Sequence, residues 1–423
     1  MRVTYITAGA AGTICGNCLA DNSLAASLRN KGHDVVLLPA YTPLLTDERD
    51  VSHRRVVLSG VNLYLQAKHR FFRSNAWLDP LLDHPRVLRW VSGIAVDTDP
   101  AELGAMTRDT FLGEEGPYAR EFAKAVDLLR KLEPDVVHLT NSMLVSLAAP
   151  VKRELGVPVV CSIQGEADFI QALPDAYRTE SAGILRRHAR HVDRWVAPCH
   201  DQIDAMSQIL GDLGPGAERI FPGITVDGHR SRVATGSEDF VVGFLARVSE
   251  EKGLGMLADA VRRLREAHPG RKIRLRVAGW RAAAKQPFID ELRRCHGFED
   301  LGYLSRREKL EFLAGLDAFS VPATYRASKG LYVLEAMAAA VPVVQPRIGV
   351  FPELVRAAQG GLECRPGDSR DLASKLEELM ENPEMARELG RAGQQAVHSR
   401  FTAGHRADET LRLYDRVLES TEE

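Results

Sequence analysis

Between Phe240 and Ala267 the chain runs FVVGFLARVSEEKGLGMLADAVRRLREA. Its first six residues carry no polar side chain, which is typical of a strand buried on both faces of a parallel sheet. A charged turn that ends in glycine follows, and the remaining residues place leucine, valine and alanine at helical spacing. A buried strand, a turn and an amphipathic helix in this order predict one βα unit of a doubly wound sheet.

The same alternation of apolar runs and amphipathic segments extends over most of the chain. Three segments have apolar residues at helical spacing and are predicted as helices: Leu254–Ala267, Tyr118–Leu132 and Ser142–Leu155. The predicted strands include Arg2–Thr7, Asp34–Pro39, Asp135–Leu139, Val157–Ser162, Phe240–Leu245, Ile273–Ala278, Ala318–Pro322, Val341–Val344 and Gly361–Cys364.

The alternation stops at residues 223–238, which read GITVDGHRSRVATGSE and have the composition of a linker. We therefore expect an α/β protein with two doubly wound Rossmann-like domains that face a cleft. The expected boundaries are residues 1–230 for the first domain and 231–400 for the second. A helical tail over residues 401–423 is expected to pack back on the first domain.

Composition narrows the class of protein. Of 423 residues, 55 are Lys or Arg and 57 are Asp or Glu, so the net charge of −2 argues against a nucleic-acid partner. Six cysteines are too few for a disulfide scaffold in a chain of this length, which favours a reducing compartment. We expect a cytoplasmic protein, with peripheral contact at the inner membrane face as an alternative.

The loop from Gly9 to Asn17 follows the first predicted strand and opens a helix. Its glycines allow a close approach of an anion to the helix N-terminus, although the spacing is not that of a dinucleotide site. The alternative is a tight turn without a ligand. Cys15 and Cys18 form a C-x-x-C pair at the same place, which leaves a thioredoxin-like redox function as a further alternative.

Two cations flank the turn after strand Phe240–Leu245. Arg247 and Lys252 stand five residues apart, and fixed cations stabilise the negative charge that develops on a diphosphate leaving group. The alternative is a solvated turn in which Lys252 pairs with Glu250 or Glu251.

The pattern from Arg247 to Lys252-Gly253 resembles the donor-phosphate motif of glycosyltransferase family 4, whose members have the GT-B fold. Gly16, which precedes Gly32-His33, resembles the second glycine of that family's first loop. Further stretches that agree in order and spacing are Gly302–Ser305, Gly330–Ala338 (GLYVLEAMA), Val341–Val344, Pro352–Val355 and Gly361–Ala373.

This resemblance implies a retaining, metal-independent transfer of a sugar from a nucleotide-diphosphate sugar, such as a UDP- or GDP-sugar, to an acceptor hydroxyl. No further cofactor is implied. Arg247 and Lys252 would stabilise the leaving phosphate and serve as the catalytic pair, and Glu335 would bind the ribose hydroxyls. The other implied donor contacts are Gly16 and the backbone N–H groups of Gly330 and Leu331.

The chain departs from the family pattern where a glutamate normally faces the donor sugar. Ala327 occupies that position. Loss of one charge-assisted hydrogen bond costs about 1.5–3 kcal/mol, so we expect a weakened or inactive transferase.

A second departure lies at the end of the predicted strand Asp135–Leu139. Many relatives have His-x-His there, whereas this chain has His138 followed by Thr140. His138 is a candidate base, and the alternative is a packed histidine at the end of a strand. Asn141, Gln164 and Glu166 are the predicted lining of the acceptor site.

Three other stretches match patterns of metal or membrane binding. Asp97-Thr98-Asp99 matches the D-x-D metal signature of the other glycosyltransferase fold, but three residues match often by chance, and no metal is expected. Lys68–Trp77 and Leu185–Trp195 combine basic and aromatic residues and suit either an anionic membrane surface or a solvated helix face.

Two alternative functions share the expected fold. Ala327 and Thr140 also suit a protein that binds a nucleotide sugar without transferring it. A nucleotide-sugar epimerase would have the same donor site. The sequence leaves the donor sugar, its base, the acceptor and the oligomeric state open.

Overall fold

The structure is a computed structural model that describes residues 1–9, 16–46, 48–68, 100–213, 216–231, 239–282, 285–294 and 296–422. The chain divides into two compact units. The first unit comprises Met1–Phe221 together with Arg406–Glu423, and the second comprises Pro222–His405. The division between them lies slightly upstream of the expected boundary at 230/231.

The first unit contains a six-stranded parallel sheet with the order β2-β1-β3-β4-β5-β6. Its strands are β1 (Arg2–Thr7), β2 (Asp34–Pro39), β3 (Val136–Leu139), β4 (Val159–Ser162), β5 (Arg194–Ala197) and β6 (Ala217–Arg219). Its helices are α1 (Gly16–Asn30), α2 (Gly60–Lys68), α3 (Pro100–Leu112), α4 (Ala119–Leu132), α5 (Ala148–Leu155), α6 (Glu166–Gln171), α7 (Asp175–Ala189) and α8 (His200–Leu210).

The second unit contains another six-stranded parallel sheet, with the order β12-β11-β10-β7-β8-β9. Its strands are β7 (Phe240–Leu245), β8 (Ile273–Ala278), β9 (Phe298–Gly302), β10 (Ala318–Phe319), β11 (Val343–Pro346) and β12 (Gly361–Cys364). The helices described in this unit are α9 (Leu254–Ala267), α10 (Gln286–Arg293), α11 (Arg306–Ala314), α12 (Leu331–Ala338), α13 (Phe351–Ala358), α14 (Ser369–Glu381) and α15 (Pro383–Arg400). The last helix, α16 (Ala403–Glu422), belongs to the first unit from Arg406 onward.

Both sheets are doubly wound, which confirms the predicted fold class. The second sheet has the Rossmann strand order. Its strands are added outward in one direction from β7 to β9 and in the other from β10 to β12, so the order reverses between β7 and β10. In the first sheet the order reverses between β1 and β3. Ligands of such sheets bind beyond the carboxyl ends of the strands at these reversal points.

Several predicted elements have the expected bounds, and one predicted helix is wrong. Strands β7, β8 and β12 and helix α9 begin and end where the sequence predicts. The predicted helix Ser142–Leu155 is instead a 3₁₀ helix, Ser142–Leu147, followed by α5. Pro150 explains the division, because proline is tolerated in the first turn of a helix but disrupts a helix interior.

Two apolar clusters cover the two faces of the first sheet. Alternate residues of β1 separate onto these faces, so that Val3 and Tyr5 belong to one cluster and Ile6 to the other. Helix α16 covers the face that carries Val3 and Tyr5, through Ala407, Leu413, Tyr414 and Val417. The C-terminal helix therefore completes the core of the first unit.

A buried carboxylate lies where the first sheet reverses its strand order. Asp21 of α1 is fully buried, and its oxygen atoms accept hydrogen bonds from side chains at the ends of β1 and β3. The guanidinium of Arg406, from α16, lies 3.9 Å from the same carboxylate. The donors are Tyr5 Oη at 3.0 Å, Thr7 Oγ1 at 2.9 Å, Thr140 Oγ1 at 2.5 Å and Gln164 Nε2 at 3.4 Å.

We predict that Asp21→Ala lowers the free energy of unfolding of the first unit by about 3–5 kcal/mol, because it leaves a buried guanidinium without its carboxylate. Urea unfolding, with hydrogen exchange of the β1 amides to identify the unit, measures this loss. Asp408→Ala is the matched control, since Asp408 forms an exposed ion pair with Lys31 at 2.7 Å and should cost about 0–1 kcal/mol. Equal losses in the two variants would contradict the role of Asp21.

Candidate active site

The turn after β7 is fixed against the segment that follows β10. Residues Glu250–Lys252 form one 3₁₀ turn, and Gly253 has a φ of +76°. A Cβ at Gly253 would lie 2.1 Å from the carbonyl oxygen of Pro322, so only glycine fits this close approach. The Thr324 N–H donates to the Glu251 carbonyl at 2.9 Å. These contacts hold Lys252 at the reversal point of the second sheet.

The Lys252 ammonium lies between two tyrosine rings. Its Nζ is 4.8 Å from the centre of the Tyr325 ring and 5.2 Å from that of Tyr332, and it donates a hydrogen bond to the Tyr325 hydroxyl. Burial and the nearby Arg247 guanidinium lower the pKa of Lys252 to about 8, while Glu251 opposes this shift. The two ring faces stabilise the cation only in part. An anion bound beside Lys252 would therefore be strongly favoured.

Arg247 is the second cation of this turn. Its side chain is 58% exposed, and its Nη2 lies 3.3 Å from Glu251 Oε1. Glu251 thus pairs with Arg247, whereas Lys252 is bonded to Tyr325 rather than to the carboxylates that the solvated-turn alternative requires. Two neighbouring cations, one exposed and one half-buried, suit a ligand that carries several negatively charged oxygens.

The start of α12 adds backbone donors close to these cations. Gly330 caps the helix with a φ of +59°, and its missing side chain leaves room for Phe351, Leu354 and Val350. The first N–H groups of a helix have no partner within the helix and carry its positive dipole end. Tyr332, the second residue of α12, contacts the Lys252 ammonium through its ring, so the helix start and the cation belong to one site.

Glu335 lies one turn further along α12. Its Oε1 accepts from Lys309 Nζ at 2.8 Å, and both side chains are largely buried, with exposed fractions of 18% and 13%. The Glu335 carboxylate is therefore positioned by a partner on α11 and keeps capacity for further hydrogen-bond donors.

Ala327 is buried, at 3% exposure, in the segment before α12. Its N–H donates to the Tyr325 carbonyl at 2.8 Å, and its own carbonyl accepts from the Val350 N–H at 2.9 Å. Backbone bonds therefore shape this segment, and its methyl group offers no hydrogen bond to a ligand.

His138 does not have the surroundings of a catalytic base. Its ring is 1% exposed, Nδ1 lies 2.6 Å from the Tyr414 hydroxyl, and Nε2 lies 2.7 Å from Ser162 Oγ. Burial lowers the pKa of His138 to about 3, so the ring is neutral at ordinary pH. Because both nitrogens are engaged inside the unit, the structure favours the packed histidine over the predicted base.

The predicted acceptor residues have different surroundings. Gln164 and Glu166 are each 7% exposed, and the Glu166 carboxylate accepts from the backbone N–H groups of Ser142 and Gln164 at 3.0 and 2.7 Å. Asn141 is half-buried at the end of β3, and its Oδ1 has no hydrogen-bond partner among the described residues. Asn141 is therefore the best placed of the three to contact a ligand.

Other predicted features lie partly or wholly outside the described residues. Gly16 is the exposed first residue of α1, but residues 10–15 of the preceding loop, Cys15 included, are not described. Asp97–Asp99 and all of Lys68–Trp77 except its first residue also fall outside. In the stretch Leu185–Trp195, the two end residues are buried, which disfavours insertion of Trp195 into a membrane surface.

The described part of the chain contains one candidate group of metal ligands and no membrane-spanning helix. Its only group of three metal-ligating side chains is His268, Glu377 and Glu381, whose ligand atoms lie within 4.8 Å of one another. None of these is a predicted site residue. None of the helices described is long and apolar enough to cross a bilayer.

Sequence reasoning missed the two tyrosines and Lys309. Tyr325 and Tyr332 flank Gly330, the glycine that caps α12, and both rings contact Lys252. Aromatic residues on either side of such a glycine are the sequence signal that could identify them. Lys309 stands in an ordinary charged helix, so only the structure shows that it contacts Glu335.

Two family models match the chain. The model for Glycosyl transferases group 1 matches residues 227–396, and the model for the Glycosyl transferase 4-like domain matches residues 22–223. The glycogen synthase of Mycobacterium tuberculosis is 29% identical over 301 residues, which cover 67% of this chain and 69% of that protein. The 2-deoxystreptamine glucosyltransferase of Streptomyces kanamyceticus is 25% identical over 326 residues, with coverages of 71% and 82%.

Solved structures share the fold at low identity. Sucrose-phosphate synthase from Thermosynechococcus elongatus has a TM-score of 0.70 at 15% identity, over 99% of this chain and 100% of that one. The catalytic domain of starch synthase IV from Arabidopsis thaliana, bound to ADP and acarbose, scores 0.68 at 13% identity, over 99% of each chain. Anabaena HepE in complex with UDP and glucose scores 0.65 at 16% identity, over 100% of this chain and 99% of that one.

The two family models together span most of the chain, and the chain belongs to the glycosyltransferases with the GT-B fold, as its motifs predict. Its reaction is the transfer of a glycosyl group from a nucleotide sugar, which confirms the predicted class of function.

We predict that Lys252→Met stabilises the second unit at neutral pH by roughly 1–3 kcal/mol and weakens the binding of nucleoside diphosphates. Below pH 8 the folded protein holds a charged lysine in a site that disfavours charge, and this cost is relieved as the pH rises from about 8 toward 10.5. The gain should therefore be full below pH 8 and disappear above pH 10.5. Thermal unfolding at several pH values measures it.

Lys272→Met is the control, since Lys272 is exposed directly before the start of β8 in the same sheet. It should change neither stability nor nucleotide binding by a measurable amount. A Lys252→Met variant that is less stable at pH 7 and at pH 10 alike would contradict the proposed cost of the buried cation.

Proposed function

We propose that the protein is a retaining, metal-independent glycosyltransferase whose second unit binds the nucleotide-diphosphate sugar and whose first unit binds the acceptor. The observation that carries the donor site is the pair of neighbouring cations, Arg247 and Lys252, at the reversal point of the second sheet. The motif pattern of family 4 supports the retaining outcome and the independence from metal. In the acceptor site we include Asn141, with Gln164 and Glu166 behind it.

The two cations act on the leaving group. As the bond between the sugar and the diphosphate breaks, negative charge grows on the phosphate oxygens, and fixed cations stabilise that state more than the ground state. Lys252 becomes fully charged when the diphosphate binds, because an anion at close range favours the ammonium form. The backbone N–H groups of Gly330 and Leu331 add donors for the same oxygens, and the Glu335 carboxylate accepts from the ribose.

The proposed donor carries a uracil or guanine base. We favour a UDP- or GDP-sugar, and the complex of HepE with UDP and glucose supports the former. The structure of starch synthase IV with ADP makes adenine nucleotides a necessary comparison. Thermal unfolding of the protein with UDP-, GDP- and ADP-sugars identifies the donor, since a ligand that binds the native state raises Tm.

A second candidate function is nucleotide-sugar binding without transfer, which Ala327 favours. Release of nucleoside diphosphate from the identified donor, with and without candidate acceptors, distinguishes the two. Tight binding without any release would support the binding protein, and a changed sugar in donor incubated alone would support an epimerase. No binding of any nucleotide sugar would overturn the proposal.

We predict that Ala327→Glu raises kcat/KM for transfer by roughly ten- to 150-fold, which corresponds to one charge-assisted hydrogen bond of about 1.5–3 kcal/mol to the donor sugar. Steady-state kinetics with the identified donor measure the change. Ala327→Gln is the control of equal size, and its gain should be smaller because it lacks the charge. If neither variant alters turnover, the missing glutamate does not limit this enzyme.

A further inference from the structure

The turn Val226–His229 packs against the face of α11 that carries Lys309. The His229 N–H donates to the Val226 carbonyl at 3.1 Å, and Gly228 has a φ of +85°. A Cβ at Gly228 would lie 3.0 Å from Leu310 Cδ1, and Arg306 Nη2 donates to the Asp227 carbonyl at 3.1 Å. Residues 306, 309 and 310 share one face of a helix. That face therefore joins the turn to the residue that positions Glu335.

The His229 ring presents an unused acceptor in this cluster. Its Nδ1 lies 3.1 Å from the Val226 carbonyl oxygen, which accepts only if Nδ1 carries the proton, so Nε2 has a free lone pair. Nε2 is buried, and the described part of the chain offers it no hydrogen-bond partner. A buried acceptor without a partner is unfavourable, which makes a ligand hydroxyl at this atom stabilising.

Burial of the His229 ring favours its neutral form. Burial lowers the pKa of His229 from its ordinary value of 6.5, and Arg306 and Lys309 on α11 act in the same direction. Glu335 on α12 and the Val226 carbonyl oppose this shift. In the neutral ring, the contact with the Val226 carbonyl places the proton on Nδ1 and leaves Nε2 as the acceptor.

Glu335 shares its acceptor sites between Lys309 and any ligand, because Oε1 already accepts from Lys309 Nζ. The two neighbouring hydroxyls of a ribose offer two donors, and the unpartnered Nε2 of His229 is a further acceptor in the same cluster. We propose that His229 is a second ribose-binding residue, whose Nε2 accepts from one hydroxyl while Glu335 accepts from the other. This inference rests on the proposed donor site in the second unit.

Deoxynucleotides test the assignment directly. The affinities of UDP, GDP and ADP for the whole protein are measured by calorimetry, and the tightest ligand is compared with its 2′-deoxy and 3′-deoxy forms. His229→Ala should weaken the full nucleotide about three- to tenfold, in line with one neutral hydrogen bond. The loss should vanish for the deoxy form that lacks the hydroxyl bound by His229. Glu335→Gln should lose its effect with the other deoxy form.

Two further variants separate recognition from structural damage. His229→Gln places an amide oxygen near the position of Nε2 and should recover part of the affinity. His398→Ala, at an exposed position on α15, should bind all three ligands like the unmodified protein.

The outcomes separate the two proposals. An unchanged affinity of His229→Ala, or an equal loss for all three ligands, would overturn the role of His229. If Glu335→Gln alone weakens binding, the donor site stands without His229. If the protein binds none of the three nucleoside diphosphates, the proposed function fails together with this inference.

Discussion

The donor site depends on two like charges held close together before any anion is bound. Arg247 and Lys252 repel each other, and the chain keeps them near by fixing the turn at Gly253 against the Pro322 carbonyl. Burial of the Lys252 ammonium adds to this cost and is its larger part. A ligand with several negative oxygens would offset both the burial of Lys252 and its repulsion by Arg247. The two cations thus lower the stability of the fold and favour a ligand that carries several negative charges.

Much of the fold could be predicted because its signals are local. Strands such as Phe240–Leu245 are buried on both faces, and helices such as Leu254–Ala267 have one apolar face, so each pattern is visible within a few residues. The errors arise where a single residue or a distant partner decides. Pro150 divides one predicted helix, and β10 is limited to Ala318–Phe319 because only those residues pair with neighbouring strands.

The candidate site could be located from the sequence, but its environment could not. The positions of Arg247, Lys252 and Glu335 follow from motif spacing. The rings that enclose Lys252, the ammonium that holds Glu335 and the partners that occupy both nitrogens of His138 come from segments far apart in the chain. Burial lowers the pKa of Lys252 and of His138, and burial is a tertiary property. For this reason the sequence could not separate a catalytic His138 from a packed one.

The first unit is interrupted in the chain by the whole of the second. Arg406, which faces Asp21, also donates to the Ala20 carbonyl across a separation of 386 residues. During synthesis the whole second unit is made before Arg406 is added to the chain. Until then the Asp21 carboxylate has no contact with this guanidinium. The first unit is therefore the later of the two to mature. The second unit has therefore been synthesised in full by the time the first unit can assemble completely.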